Sequence, residues 1–281
     1  MKRLIYFFAE AVLAVNCMFG QNYINEYFSR KPSEINNKNS EFQEYKFVLK
    51  WQNLDAINGN RINCNEAKGI FIAGLGNGYV GWQNVSTGQI ENFQDSAVSA
   101  TKLPAFNNFS YAAFTADFLT EDFYKDFPAD QRDLAKWLVS DAFTVHEFPL
   151  IIFDSLSYDK DFSPKFMENY DIKFENWVTL TSRHLNLKWS GISKYNDEIC
   201  AVIEFESLFN PVIMQTPDIN IRGRSLYWGE VRISLIDKQV EYASMYEDVV
   251  FKLKTEALTQ EQLIDLQRRV IFENLHNKGI N

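Results

Sequence analysis

His146 and Glu147 are adjacent, and Asp141 lies one helical turn and a half upstream. A histidine base oriented by a carboxylate is standard equipment for hydrolysis of esters or glycans. The plainer reading is a cation placed favourably at a helix C-terminus, and it is preferred. Glu204 and Glu206 share one face of a strand-like run, and Asp154 and Asp159 form a second acidic pair. Paired carboxylates can run glycoside chemistry, but alternation on a solvated face also produces them. The other histidines, His184 and His276, have no partner at metal-ligand spacing, so no metal is expected. No Gly-x-Ser-x-Gly is present, and Trp189-Ser190-Gly191 lacks the strand-turn-helix setting of a nucleophile elbow. Gly74-x-Gly76-x-Gly78 lacks the sixth-position glycine and the following helix of a dinucleotide fingerprint. It reads as a hairpin turning at Asn77-Gly78, and no cofactor is expected.

What would position such groups is a β-meander over 186–254. Leu185, Leu187 and Trp189 alternate with polar residues, as do Ile199, Ala201, Ile203 and Phe205. Tyr227, Val231, Ile233 and Leu235 alternate next, and a last run continues to Lys254. Alternation places one set of side chains in a core and the other outward. A connection containing Pro211 and Pro217 separates the second and third runs. Val240 and Tyr242 have the opposite parity to Val249, Phe251 and Leu253, so a bulge or bend is expected between Ala243 and Asp248. The second face carries Cys200, Val202, Trp228, Tyr242 and Tyr246, so it is not cleanly polar.

Gly223 to Val231 reads Gly-x-Ser-x-Tyr-Trp-Gly-Glu-Val, followed by Asp237-Lys238-Gln239-Val240-Glu241-Tyr242. With Gly191 and the run Cys200-Ala201-Val202-Ile203, this resembles a hairpin of bacterial lipoprotein-carrier-like half-barrel envelope proteins. The likeness rests on pattern and covers about a quarter of the chain. It implies a curved antiparallel sheet wrapped around helices and holding an acyl chain or lipoprotein segment. It implies no catalytic residues.

The chain has 281 residues, 46% hydrophobic and 15% aromatic, with a net charge of -9. That supports a substantial core and argues against nucleic acid as a partner. Met1-Lys2-Arg3 followed by the apolar run Leu4 to Val15 resembles a secretory signal peptide ending at Gly20. Cys17 offers a rival, lipid attachment, although Asn16 spoils the lipobox. A transmembrane helix is not expected in the mature chain. Residues 21–40 read as a polar tail and 41–281 as one α+β domain. In an oxidising compartment Cys64 and Cys200 could pair.

Residues 41–54 fit either helix or strand. Pro128 to Phe143 fits a helix with Leu134, Leu138 and Ala142 in a stripe, and a shorter helix precedes it from Thr120 to Phe127. Pro149 should stop it, leaving Leu150 to Phe153 as a short strand. Thr259-x-x-Gln262 fits a capping box, and Leu263, Leu266, Val270 and Ile271 make a helical face, so 259–277 reads as a C-terminal helix.

The expected fold is therefore α+β: a curved antiparallel sheet, half-barrel-like, packed with two or more helices. The expected role is a secreted, periplasmic or envelope-associated bacterial protein. It would bind or carry an apolar ligand such as a lipid or lipoprotein segment, without catalysis, or engage another envelope protein. Trp189, Trp228, Tyr242 and Tyr246 are the candidate ligand-binding residues. The rival is a secreted hydrolase using Asp141, His146 or Glu147.

Overall fold

The computed structural model describes residues 26–38, 40–76, 78–158, 165–167, 170–173, 178–182, 185–215, 219–255, 258 and 260–275. The expected signal peptide, Cys17, Asp159, His184, His276 and Pro217 lie outside them. Among the described residues thirteen strands form one antiparallel sheet. They are β1 (Gln43–Asp55), β2 (Arg61–Leu75), β3 (Tyr79–Gln89), β4 (Thr101–Lys102), β5 (Ser110–Ala112), β6 (Lys165–Met167) and β7 (Tyr170–Lys173). After these come β8 (Val178–Ser182), β9 (Leu185–Tyr195), β10 (Glu198–Gln215), β11 (Ile219–Ser234), β12 (Val240–Thr255) and β13 (Gln262–Asn274). The fold is mostly β with few helices, and the sheet is not closed.

Two meanders build it. β1, β2 and β3 pair in sequence, as do β9 to β13. The first and last strands join them, with Tyr45 opposite Asn274 and Trp51 opposite Arg268. The polypeptide between β3 and β9 supplies the helical layer. Helix α1 (Arg132–Ala142) is followed by one wide turn (Phe143–Glu147) and helix α2 (Phe148–Phe153). Ala135, Leu138, Val139 and Ala142 bury one stripe of α1, the period of an amphipathic helix.

Cross-strand register explains the core on the inner face, the one the helices cover. One row runs Trp189, Ile203, Val231, Ala243, Phe272, Phe47. The next runs Leu187, Phe205, Gly229, Met245, Val270, Leu49. At one end aromatic rings fill the layer: Trp82 lies 5.0 Å from Phe47 and 5.1 Å from Phe71, and Phe71 is 5.4 Å from Phe272. Edge-to-face packing of this kind adds to the burial of large apolar surfaces.

Several expectations change. Within the expected C-terminal helix, Gln262–Asn274 is instead strand β13, between β1 and β12; Thr259, His276 and Asn277 lie outside the described residues. Ile264, Leu266, Val270 and Phe272 do alternate, but Arg268 interrupts them on the inward face and disguises the period. Residues 41–54, open between helix and strand, hold β1. The expected strand Leu150 to Phe153 belongs to α2. Phe148 N–H reaches the Phe143 carbonyl, five residues back, and Pro149 falls in the first turn of α2, where no N–H is required. Residues 120–127 form a 3₁₀ turn, Asp122–Tyr124, rather than an α-helix.

The change of phase in β12 is real but sits earlier than Ala243. Arg232 faces Tyr242 while Ile233 faces Val240, so Glu241 is the extra residue. Pro211 lies inside β10, just beyond an irregularity at Ser207/Asn210 and between its pairing to β9 and its pairing to β8. Residues 26–38 are no loose tail, because Tyr27 and Pro32 are buried and Arg30 Nη1 donates to the Leu235 carbonyl at 3.1 Å. Cys64 and Cys200 are both buried and free, on strands β2 and β10.

Gly229 is where the sheet needs a missing side chain. A Cβ there would meet Ser244 O at 2.0 Å and the Phe205 ring at 2.6 Å, whereas at Gly191 it would meet nothing within 4 Å. Gly229→Ala should lower stability to urea by about 1–3 kcal/mol, and Gly191→Ala should stay within about 0.5 kcal/mol. Equal effects would show that the close approach at Gly229 is not a constraint.

Candidate functional site

A cavity of about 410 Å³ lies between the helical layer and the inner face of β9 to β13. That falls within the range of small-molecule sites, roughly 300–1,000 Å³. Its roof is mostly apolar, with Phe114, Phe118, Leu119, Phe143, Phe148 and Ile151 beside Ser140 and Thr144. Its sheet wall is Leu185, Leu187, Phe205, Tyr227 and Met245. The strand alternation that buries the core also aims these residues here.

The floor is ionic. Glu247 and Arg268 are direct cross-strand partners on β12 and β13, and Asp141 descends from α1. Arg268 Nη2 donates to both Asp141 oxygens at 2.6 Å, and Nη1 donates to Glu247 Oε2 at 2.7 Å. Ser225 Oγ donates to Glu247 Oε1 at 2.6 Å. Trp137, one turn before Asp141, covers the guanidinium at 5.0 Å and meets Trp51 edge-on. The Arg268 side chain is only 11% exposed and its Nε has no hydrogen-bond partner among the described residues. Burial works against its charge, but Asp141 and Glu247 outweigh burial and raise its pKa. Burial pushes the Asp141 carboxyl up to about 6, against the pull of Arg268. Two carboxylates thus share one guanidinium.

Asp141, His146 and Glu147 do not converge as a hydrolase would need. Only Asp141 reaches the cavity. His146 is not a cation at a helix end. Its ring is buried 4.8 Å from Tyr45 and 5.2 Å from Phe71, and burial lowers its pKa to about 3. The wide turn after α1 carries it inward, away from solvent. Glu147 accepts the backbone N–H of Phe114, and burial lifts its pKa to about 7. Among the described residues no cluster of His, Cys, Asp or Glu has metal-binding geometry.

The four sequence-derived binding candidates divide between two faces. Trp189 is buried on the inner face against Phe153 and Tyr158. Trp228, Tyr242 and Tyr246 line a shallow groove of about 770 Å³ on the outer face. Trp228 is 41% exposed and lies parallel to Tyr246, 6.0 Å away. Glu204 and Glu206 edge the same groove, where Lys188 pairs with Glu204 at 2.8 Å and Asn186 donates to Glu206. Asp154 pairs with Lys238 at 2.6 Å, away from both sites. None of the four candidates lines the inner cavity. Arg268 and Glu247 were missed as site residues. Their signal was a charge at an inward position of an otherwise apolar alternation.

Arg268→Ala leaves two carboxylates buried without their cation, so it should cost about 3–5 kcal/mol in urea unfolding. Adding Asp141→Ala should cost less than the sum of the single changes, and strict additivity would deny the coupling. A second expectation concerns His146. Its folded pKa is depressed, so its contribution is present above about 6.5 and lost as pH falls toward 3. His146→Leu should therefore reduce the slope of unfolding free energy against pH in that window by about 1.4 kcal/mol per unit. An unchanged slope would mean that the imidazole charges inside the fold.

No family model matches the chain, and no curated protein matches it.

Proposed function

We propose that this protein binds an apolar or amphiphilic ligand in the inner cavity, without catalysis. The observation that carries the reading is the cavity of about 410 Å³ roofed and walled mostly by apolar side chains, with its charged groups, Asp141, Glu247 and Arg268, gathered at the floor. A well-formed apolar pocket with a few convergent polar groups is the usual form of a small-molecule site. The open antiparallel sheet, read as a curved half-barrel around the helical layer, fits a carrier of lipid or of a lipoprotein segment. The sequence signal over residues 1–20 supports a secreted or envelope-associated setting for that role. A hydrolytic reading gains nothing from the site, because His146 is buried in an aromatic cluster rather than facing a cleft.

The test uses the uncharged fluorescent probe N-phenylnaphthylamine. Thr144 lines the cavity on the wide turn between the helices, and its hydroxyl donates to the Ser140 carbonyl of α1. Thr144→Trp should fill the space and weaken probe binding at least about tenfold. Trp228→Ala, on the outer face, should leave binding unchanged. No uptake by the natural protein, or loss through Trp228→Ala alone, would refute the cavity as the site.

A further inference from the structure

Resting on the reading of the cavity as a ligand site, we infer that it selects a cationic amphiphile: an alkyl chain bearing a small ammonium head, and that it disfavours a fatty-acid carboxylate. The chain would lie along the apolar roof and the head would reach Asp141 and Glu247 on the floor.

Charge arithmetic is the first support. Asp141, Glu247 and Arg268 face the cavity together, two acids against one base. With both acids ionised the floor carries one uncompensated negative charge. Among the described cavity-lining residues there is no second cation to balance it. A buried charge without a partner is unfavourable, and a ligand that brings the opposite charge relieves it.

Hydrogen-bond capacity is the second. A carboxylate offers about four acceptor sites. The bonds to Asp141 are two from Arg268 Nη2, and those to Glu247 are one from Arg268 Nη1 and one from Ser225. Both retain room to accept from an ammonium, which has three donors. A feature that would welcome an anion is Arg268 Nε, which has no partner among the described residues. A carboxylate head placed there would stand beside two others, and like charges in a low-dielectric site repel strongly.

The experiment displaces N-phenylnaphthylamine from the full protein with dodecylammonium, dodecanol and dodecanoate at neutral pH. Dodecylammonium should displace the probe at least about tenfold more effectively than dodecanoate, with dodecanol between them. Glu247→Gln leaves one acid and one base, so it should erase most of that preference. Asp197→Asn, which removes a carboxylate that is 95% exposed, should not. Dodecanoate displacing as well as the amine would overturn the inference while leaving the cavity reading intact. A preference unchanged by Glu247→Gln, or lost equally in Asp197→Asn, would assign it to surface charge and overturn the inference as well. Displacement by none of the three amphiphiles would overturn both. Should Glu247→Gln fail to fold, Asp141→Asn, which neutralises the other acid of the floor, makes the same test with the same outcomes.

Discussion

A buried guanidinium has to be neutralised where it stands, and Arg268 stands in the middle of a sheet. It sits on β13 between β1 and β12, facing inward. Its side chain is only 11% exposed, and stripping an ion of most of its water costs several kcal/mol. Glu247 meets it from the next strand, and Asp141 meets it from α1. The second contact ties the helical layer to one position on the sheet. Trp137 covers one face of the guanidinium, and Trp51 packs edge-on against Trp137. Hydrophobic burial supplies most of the stability of such a fold. The ionic clasp adds direction: sliding α1 by a turn would separate Asp141 from Arg268 and leave charges buried unpaired.

That fixed position divides the interior in two. On one side Phe47, Phe71, Trp82 and Phe272 interlock and leave no room. On the other, α1, the wide turn and α2 span the sheet without filling the space beneath. The wide turn matters to this. It turns His146 toward the aromatic side while Phe143 and Thr144 face the cavity. One irregular turn thereby serves both halves, and its unusual geometry stands beside the site, as such turns often do.

The clasp also gives the cavity its chemistry. A floor made only of Leu and Val would hold any apolar chain. Two carboxylates sharing a guanidinium would orient the proposed amphiphile and distinguish its head by charge. The interactions that hold the layers in register are thus the same ones a ligand would meet.

Alternation in the sequence determined the inner and outer faces of β9 to β12, and the Asn-Gly signal determined the hairpin between β2 and β3, because both depend on local backbone geometry. The periodicity of α1 was equally readable. β13 was not, because Arg268 at an inward position mimics the polar face of a helix, and only its distant partners justify it there. The bulge at Glu241 was visible as a change of phase but not as a position, since the register of a strand is set by its neighbour. Trp189, Trp228, Tyr242 and Tyr246 were recognisable as candidates by type. Which face each occupies relative to the helical layer was a tertiary decision, and it left them outside the inner cavity. Asp141 and Arg268 are 127 residues apart in the chain. No local rule joins groups that far apart; only the pairing of the first strand with the last, and the docking of α1 across them, brings them into one site.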